Sequence, residues 1–522
     1  MHVPLTPVRA LYRAVDLYGR KTGVVSGEQR FTYGEFGERV ERLAFSLLSE
    51  GVVPGDRVAF LSFNTHQLLE GYFAAPLVRA IVMPLNVRLS AAELTCILNH
   101  ATPRIVFYEA DFAGVVDQLR QTCPAVQAWL EIGAAYEQLL ARGRIQRPDI
   151  FTFNEQEIAE LFYTSGSTGK PKGVMLSHRT LYMHMLGVSA TFYNDESMVE
   201  LHTIPLFHAN GWGRPQCATL HGLKQVMVRR FEPAQVLRLI EEEGATCMSV
   251  VPTMANALLN CPDTDKYNLS SLRQIHIGGA ASSPELVARL EAMFHCAVMT
   301  GYGLTESSPV ATSSRDKSTI TFAGDEERIR HRAMAGWPLP GCEVRVVDLQ
   351  MKDVPRDMEA VGEIVLRGDN IMDGYYKEPQ ATAAVMTNGW LHTGDMAVWD
   401  AEGRVQIVDR KKDIIISGGE NISSIEVERA IAAHEAVLEC AVVSAPDEQW
   451  GEVPAAFIVF KPGRALEQQV LCEFLQQRLA KFKIPRRFHF SETPLPKTGT
   501  GKIIKRQLRE TLWSEKELRI QG

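Results

Sequence analysis

The sequence predicts an α/β protein with a large N-terminal domain of layered α/β sheets, which includes a β-rich subdomain, and a small α+β C-terminal domain. Helical and strand-like segments alternate through the first 150 residues, as in layered sheets of mostly parallel strands. Beyond about residue 340, short strands are separated by glycine-rich turns. After a charged run at residues 409–413, a compact α+β pattern follows. The 522 residues are enough for about three to four domain-sized units.

The first helix is predicted to begin at Thr32 and to continue through Leu48, because its apolar residues recur at spacings of three and four. Gly51 ends it, and residues 57–62 form a buried strand. The alternation continues with a helix near residues 68–78, a strand at 81–85, a helix near 91–99 and a strand at 104–108.

The later segments are predicted from the same periodicities. Strands are expected at 344–347, 363–367, 405–408, 414–417, 438–443 and 455–460, and helices at 425–437 and 467–482. The second of these helices places Leu471, Leu475 and Leu479 on one stripe. We place the domain boundary in the charged run, which gives domains at 1–411 and 412–522. A solvated surface turn is the alternative interpretation of that run.

Composition and charge exclude several classes of protein. The net charge of −7 disfavours nucleic acid and anionic membrane surfaces as partners, although residues 478–510 hold ten Lys or Arg against two Glu. Nine scattered cysteines favour a reducing compartment over a disulfide framework or a zinc knuckle. No run of 18 apolar residues predicts an integral membrane segment, and neither a signal peptide nor a peroxisomal address at Gln521-Gly522 is recognised. These features predict a cytoplasmic protein.

The strongest local signal is a loop between residues 163 and 174 that interleaves hydroxyl side chains, glycines and lysines. Such a loop can hold a phosphate group with backbone N–H groups, hydroxyls and positive charge. The residues expected to bind phosphate are Thr164, Ser165, Gly166, Ser167, Thr168, Gly169, Lys170 and Lys172. The loop differs from a Walker A motif because Pro171 follows Lys170, and a helix is expected only after Ser177 as N-cap. A flexible Gly/Ser linker is the alternative.

This loop resembles the nucleotide-binding loop of the acyl-adenylate-forming superfamily, which comprises acyl-CoA synthetases, adenylation domains and luciferases. The resemblance continues in order over nearly the whole chain. Its further motifs are Pro205-Leu-Phe-His208, Gly278-Gly-Ala280, Gly301-Tyr-Gly-Leu-Thr-Glu306, Gly362-Glu363, His392-Thr-Gly-Asp395, Asp409-Arg410, Gly418-Gly-Glu-Asn421 and Pro496-Lys-Thr-Gly-Thr-Gly-Lys502. Within the superfamily, the chain resembles medium- and long-chain fatty-acyl-CoA synthetases.

The resemblance implies a role in ATP binding for several of these residues. Tyr302 would stack on adenine, Thr305 would contact the α-phosphate and Glu306 would hold Mg²⁺, which prefers carboxylate oxygen together with phosphates. Asp395 and Arg410 would bind the ribose. The remaining residues of this predicted site are Gly279, Ala280, Gly301 and Gly303. An ordinary core tyrosine at 302 and a simple turn at 393–395 are the structural alternatives.

The resemblance also implies catalytic and acyl-binding residues. Lys502 would stabilise charge on the α-phosphate and the attacking carboxylate, although a solvated lysine is the alternative. His208 would close the gap between the carboxylate and thiol channels. Trp212 would gate an apolar acyl tunnel, with core packing as the alternative. The predicted lining of the acyl site is completed by Val251, Pro252, Thr253 and Gly278.

The C-terminal domain is expected to serve the second half-reaction. The resemblance implies that it is mobile, that Lys412 is its hinge, and that Gly419 approaches pantetheine. CoA contacts are expected from Trp450, Lys483 and Arg486. The transfer of these last three roles is weakened by Ile484, which stands where related aryl-CoA ligases can have arginine.

The predicted function is that of an ATP-dependent acyl-CoA synthetase that acts through an acyl-adenylate and uses ATP, Mg²⁺ and coenzyme A. A medium- or long-chain fatty acid is favoured. Residues 202–208 hold no acidic side chain for an amino acid's ammonium group, which disfavours amino-acid activation. The alternatives are an aryl- or short/branched-chain acid–CoA ligase, an adenylating enzyme that loads a carrier protein, and a non-catalytic nucleotide-binding protein. A homodimer is a further expectation of the resemblance.

Overall fold

The computed structural model describes residues 3–165, 171–262, 264–418, 420–497 and 503–513. The chain forms two compact units, one of residues 1–344 with 366–391 and the other of residues 345–365 with 392–522. The predicted boundary at residues 411 and 412 stays a prediction, because compact packing and a hinge between moving bodies are different properties. Among the described residues, every helix is too short or too polar to cross a bilayer.

The helices of the first unit alternate with its strands, as the sequence pattern predicts. They are α1 (Val8–Tyr18), α2 (Tyr33–Ser49), α3 (His66–Leu77), α4 (Ala91–Ala101), α5 (Ala113–Thr122), α6 (Ala134–Arg142), α7 (His178–Thr191), α8 (Arg214–His221), α9 (Pro233–Glu243), α10 (Pro252–Leu259), α11 (Pro284–Phe294), α12 (Asp325–Arg332) and α13 (Pro379–Val385). At the start of α2, the side chains of Thr32 and Glu35 form a capping box, which explains why the helix begins there.

Two sheets form the first unit. The nine-stranded sheet contains, in spatial order, β15 (Trp337–Pro338), β14 (Val310–Ser313), β13 (Ala297–Gly303), β12 (Gln274–Ile277), β11 (Cys247–Val250), β9 (Val199–His202), β10 (Lys224–Met227), β1 (Thr22–Ser26) and β2 (Gln29–Thr32). The seven-stranded sheet contains β18 (Gly374–Tyr375), β8 (Pro171–Ser177), β7 (Ile158–Ser165), β4 (Ile81–Pro84), β3 (Arg57–Leu61), β5 (Ile105–Glu109) and β6 (Ala128–Ile132).

Parallel pairing dominates the middle of both sheets. Strands β9 to β13 pair in parallel, as do β3 with β4 and β5, while the antiparallel pairs β13–β14 and β7–β8 lie towards one end of their sheets. The central strands are fully buried, which matches their continuous apolar sequences. The predicted class of layered, mostly parallel sheets is therefore confirmed.

Three strands contain the points at which the chain passes from one unit to the other: β16 (Cys342–Val347), β17 (Gly362–Gly368) and β20 (Trp390–Trp399). Strand β19 (Met386–Thr387) belongs to the first unit. The second unit adds β21 (Val405–Arg410), β22 (Ile415–Ser417), β23 (Glu420–Ile422), α14 (Ser424–Ala432), β24 (Val437–Asp447), β25 (Gly451–Phe460), α15 (Gln468–Gln476), β26 (Arg487–Ser491) and α16 (Lys505–Trp513). The part of this unit from residue 412 onward has the mixed helix and strand content predicted for the small α+β domain.

Two predicted helices are shorter in the structure. The helix expected over 467–482 ends at Gln476, and the one expected over 425–437 ends at Ala432. In the first case the N–H of Arg478 bonds to the carbonyl of Leu475, which tightens the last turn. Pro485 also disfavours a helical conformation for the preceding residue. Leu479 remains buried with Leu471 and Leu475, so the apolar stripe continues beyond the helix that carries it.

Candidate functional site

The predicted phosphate loop joins two antiparallel strands. Thr164 at the end of β7 lies opposite Lys172 in β8. Residues Gly166, Ser167, Thr168, Gly169 and Lys170 lie outside the described residues, as does the side chain of Ser165. Helix α7 begins only after Ser177, whose hydroxyl accepts a 3.3 Å hydrogen bond from the N–H of Thr180. The expectation that a helix begins only after Ser177 as N-cap is confirmed.

Lys172 and Glu306 meet at a common neighbour, Tyr375 of β18. The Tyr375 hydroxyl donates a 2.8 Å hydrogen bond to Oε1 of Glu306, and Nζ of Lys172 lies 4.9 Å from the centre of the tyrosine ring. The backbone carbonyl of Glu306 also accepts a 2.9 Å hydrogen bond from Met372. Burial and the Glu306 carboxylate raise the pKa of Tyr375, so it stays a neutral donor. Strands β8 and β18 and the turn after β13 thus place an ammonium, a hydroxyl and a carboxylate together.

The adenine-binding residues predicted from the sequence lie at the carboxyl ends of two neighbouring strands. β12 and β13 pair in parallel with Ile277 opposite Thr300, so Gly278 and Gly301 follow at the same edge. This edge is where open α/β sheets bind ligands. A Cβ on Gly303 would lie 1.8 Å from the carbonyl oxygen of Pro309, so only glycine fits there.

The side chains at this edge are accessible to differing degrees. Tyr302 is half-buried in the last part of β13, and Thr305 is buried in the turn that follows. Gly279 has a positive φ of 79°, and Ala280 is exposed. The structure therefore brings Gly279, Ala280 and Tyr302 to one sheet edge, as a nucleotide-binding site requires.

The predicted acyl-site tryptophan lies on an unusual turn. Ala209, Asn210, Gly211, Trp212 and Gly213 all have positive φ, between 45° and 71°. Left-handed backbone costs most residues with a Cβ about 1–2 kcal/mol, so Ala209 and Trp212 are unfavourable there by themselves, whereas asparagine tolerates this region better. His208, half-buried, immediately precedes the turn. The surrounding contacts must therefore hold this conformation.

Trp212 is packed against Gly278. A Cβ added to Gly278 would lie 3.0 Å from Cη2 of the tryptophan ring. Val251 packs against the same core cluster as Trp212. The next residue, Pro252, begins helix α10. Thr253 is exposed. Trp212, Val251 and Gly278 are thus associated with one apolar cluster, as the predicted acyl site requires.

Two buried carboxyl groups lie beside the turn. Oε2 of Glu160 in β7 accepts a 3.3 Å hydrogen bond from the side-chain amide of Asn210, and Oε1 accepts one of 2.8 Å from Gln216. Burial raises the pKa of Glu160 to about 8 against the effect of these hydrogen bonds, so the group is mostly protonated at neutral pH. The other carboxyl group, that of Glu200, pairs with Arg214 at a Nε–Oε2 distance of 3.0 Å.

In the second unit, the two predicted ribose-binding residues lie side by side. Asp395 of β20 is the cross-strand partner of Arg410 in β21, with 3.5 Å between Oδ1 and Nε. Glu363 lies next to them, accepts a 3.1 Å hydrogen bond from the N–H of Gly394 and lies 3.4 Å from Nζ of Lys411. The spacing of fifteen residues between Asp395 and Arg410 is therefore the length of a hairpin, which places the carboxylate and the guanidinium next to each other.

The predicted CoA contacts are only partly brought together. A Cβ on Gly418 would lie 2.5 Å from the Trp450 ring, and the guanidinium of Arg486 lies 5.4 Å from that ring's centre. Trp450 and Arg486 are both exposed. Lys483 instead donates hydrogen bonds of 2.8 Å to both oxygens of Glu426, so its charge is already neutralised.

Three further predicted positions concern the hinge and the catalytic loop. Gly419 and Lys502 lie outside the described residues. The carbonyl of Lys412 accepts a 2.8 Å hydrogen bond from the buried Arg509 of α16, which also lies 3.1 Å from Asp413. The segment after the predicted catalytic lysine is thus connected to the predicted hinge.

The side chains near Glu306 would suit Mg²⁺ that is shared with a bound phosphate, and they would not form a metal site made of protein ligands alone. In the part of the chain that the structure describes, no group of three or more His, Cys, Asp or Glu could hold a metal. A single carboxylate that shares the neighbour Tyr375 with Lys172 would fit Mg²⁺, which is usually bound by one or two carboxylates together with substrate phosphates.

Sequence reasoning missed Tyr375, Glu160 and Asn210 as members of the site. Tyr375 belongs to no motif, and its partner Glu306 is 69 residues away. Glu160 did leave a signal, since a glutamate inside an apolar strand must find a hydrogen-bonding partner or stay neutral.

Comparison with known proteins agrees with this geometry. Residues 11–376 match the AMP-binding enzyme family, and residues 426–502 match the C-terminal domain of AMP-binding enzymes. A long-chain-fatty-acid–CoA ligase of Thermus thermophilus is 39% identical over 96% of this chain and 94% of its own length. A peroxisomal butyrate–CoA ligase of Arabidopsis thaliana is 35% identical over 98% of this chain and 93% of its own length.

Among solved structures, the anthranilate CoA ligase AuaEII in complex with anthranoyl-AMP superposes with a TM-score of 0.89. It is 25% identical to this chain, and the match covers 98% of both chains. The family match, these relatives and the sheet-edge site lead to one conclusion: the chain belongs to the AMP-binding, acyl-adenylate-forming superfamily and is an AMP-forming acid–CoA ligase.

Proposed function

We propose that this ligase activates a medium- or long-chain fatty acid through an acyl-adenylate. The observation that carries the proposal is the contact of Trp212 with Gly278, because an aromatic ring beside the sheet edge of the predicted nucleotide residues supports an apolar acyl site. The buried carboxyl group of Glu160, which is hydrogen-bonded to Asn210, is mostly neutral, so it offers little charge to attract a substrate ammonium group. An apolar acid is therefore favoured over an amino acid.

In the first half-reaction, an oxygen of the substrate carboxylate attacks the α-phosphorus of ATP, and the bond to pyrophosphate breaks. Tyr302 would stack on adenine, and the pair Asp395 and Arg410 would bind the ribose hydroxyls. Glu306, oriented by Tyr375, would hold Mg²⁺, which neutralises phosphate charge when bound. Lys502 would stabilise the negative charge that develops on the α-phosphate and the carboxylate.

In the second half-reaction, the CoA thiol attacks the acyl carbonyl, and AMP leaves with the electron pair of the broken C–O bond. The exposed pair Trp450 and Arg486 supports a role in binding the CoA nucleotide, since an aromatic ring and a guanidinium suit a purine and a phosphate. Because Lys483 already pairs with Glu426, we expect it to contribute less than Arg486 to CoA binding.

The test is the initial rate of CoA-dependent AMP release with a series of acids from acetate to stearate, together with benzoate and cinnamate. The proposal expects kcat/KM to rise with chain length and to be highest for a medium- or long-chain acid. A maximum at benzoate, cinnamate or a short branched acid would overturn it. Purified carrier protein offered in place of CoA tests the remaining alternative, which predicts faster loading of the carrier protein.

Three further expectations belong to this proposal. Dependence of pyrophosphate exchange on Mg²⁺, measured after dialysis against a chelator, tests the metal assignment of Glu306. Sedimentation analysis tests the expected homodimer. A fluorescent fusion, seen in the cell, tests the expected cytoplasmic location.

A further inference from the structure

The turn at residues 209–213 requires external support. Five consecutive residues have positive φ, and Ala209 and Trp212 carry a Cβ that disfavours it. Glycine at 211 and 213 accepts positive φ readily, and asparagine at 210 tolerates it when its side chain hydrogen-bonds locally. A conformation of this kind persists only when neighbouring groups determine it.

The side chain of Asn210 supplies that support on one side. Its amide nitrogen donates to Oε2 of Glu160 at 3.3 Å and to the carbonyl of Ser308 at 3.4 Å, and its oxygen accepts a hydrogen bond from the N–H of Gly213. Asn210 and Glu160 are both buried, so water does not compete for these bonds. One side chain therefore connects the start of the turn, its end and the strand β7 beneath it.

A second anchor follows the turn. Arg214 is 2% exposed and its partner Glu200 is 1% exposed, which fixes the residue directly after Gly213. A Cβ on Gly213 would lie 2.5 Å from Cε1 of His184, so this end of the turn is also closely packed. Asn210 lies two residues before Trp212 and Arg214 two residues after it. The tryptophan is thus the centre of a short segment held at both ends.

We propose that the hydrogen bond between Glu160 and Asn210 holds the left-handed turn and thereby sets the position of Trp212 against Gly278, which makes Glu160 and Asn210 positioning residues for acyl-chain selection. This inference rests on the proposed function, in which Trp212 lines the acyl site. Without the bond, the turn relaxes towards ordinary backbone conformations and the indole ring leaves Gly278. Short acids then lose the wall that holds them, and long acids gain space.

The experiment compares the ratio of kcat/KM for palmitate to that for butyrate in five variants. We expect Asn210→Ala, Glu160→Ala and Trp212→Ala each to raise this ratio by about tenfold, with the KM for ATP unchanged. Glu160→Gln, which keeps an uncharged hydrogen-bonding group of the same shape, restores the wild-type ratio. In the double variant Asn210→Ala with Trp212→Ala, the ratio equals that of Trp212→Ala alone, because both changes act through the same ring.

Each outcome has a distinct meaning. If Trp212→Ala raises the ratio and Asn210→Ala lowers kcat/KM for both acids equally, the positioning role is wrong while the proposed function stands. If the change in the ratio for the double variant is the product of the changes for the two single variants, Asn210 acts by another route and the inference is again wrong. If Trp212→Ala leaves the ratio unchanged, the acyl role of Trp212 fails together with the inference. Where Asn210→Ala unfolds, Asn210→Gly replaces it, since glycine adopts the turn conformation without the side chain.

Discussion

Replacing Glu160 by glutamine should remove a pH dependence of stability from the native protein. Burial raises the pKa of this carboxyl group from 4.5 to about 8, while the hydrogen bonds from Asn210 and Gln216 act in the opposite direction. The folded chain therefore keeps a proton that the unfolded chain loses above about pH 4.5. By linkage, this contribution to stability is fully present below pH 4.5 and is lost as the pH rises to about 8.

The magnitude follows from the two pKa values. At about 1.4 kcal/mol for each pH unit, the difference between 4.5 and about 8 amounts to about 5 kcal/mol. Unfolding the first unit, of about 370 residues, carries an entropy of about 2 cal/mol/K per residue, so 5 kcal/mol corresponds to about 6 °C in Tm. Glutamine resembles the protonated acid, because its amide can donate where the carboxyl O–H does. Oε1 of Gln216, which has no hydrogen-bond partner among the described residues, can accept that bond after rotation of the amide.

The assay is thermal unfolding of the native enzyme and of Glu160→Gln at intervals between pH 5 and pH 9. All other titrating groups cancel in the difference between the two Tm values. We expect the variant to exceed the native protein by only about 1 °C at pH 5 and by about 6 °C at pH 9. Glu28→Gln, at an exposed position in the turn between β1 and β2, is the matched control and should show no trend. A constant difference between native enzyme and Glu160→Gln across this range would refute the reasoning.

Three other substitutions test separate parts of the site. Lys502→Ala should lower adenylate formation by about 100-fold or more and leave thioester formation from preformed acyl-AMP intact, and equal losses in both half-reactions would contradict its role. Gly418→Ala places a methyl group 2.5 Å from the Trp450 ring and should raise the KM for CoA, measured beside an unchanged rate of pyrophosphate exchange. Tyr375→Phe removes the hydrogen bond to Glu306 and should raise the Mg²⁺ concentration for half-maximal exchange about fivefold, and an unchanged Mg²⁺ dependence would exclude the orienting role.

Much of the fold was predictable because local sequence determines it. The capping pair Thr32 and Glu35 marks the start of α2, and Ser177 marks the start of α7. The end of α15 was not predictable in the same way. Leu479 keeps the helical spacing and remains buried after the helix has ended. Burial of its side chain stabilises the fold whether or not its backbone is helical.

Counting charged residues along the C-terminal segment does not show which of those charges are paired in the fold. Residues 478–510 carry a strong local excess of positive charge, which suggested a surface for nucleotide phosphates. In the structure, Lys483 pairs with Glu426 and Lys505 pairs with Glu428, both carboxylates from α14. Arg509 likewise pairs with Asp413. Part of the excess is therefore structural, and the cations left for phosphate are fewer than the sequence indicated.

The difference between local motifs and distant contacts explains why the sequence predicted the class of reaction but left the acid substrate open. Residues that hold a nucleotide sit in loops between neighbouring strands, where backbone geometry demands glycines and hydroxyls in a fixed order that a single sequence displays. The position of Trp212 instead depends on Gly278, 66 residues later, and on a carboxyl group in β7, 52 residues earlier. Glu160 belongs to no motif, and the motif at residues 278–280 does not reveal that its first glycine contacts Trp212. Relatives with similar folds carry names that specify different acids. Since these contacts act on the indole ring and not on the nucleotide residues, substitutions there should change the preferred acid without changing the affinity for ATP.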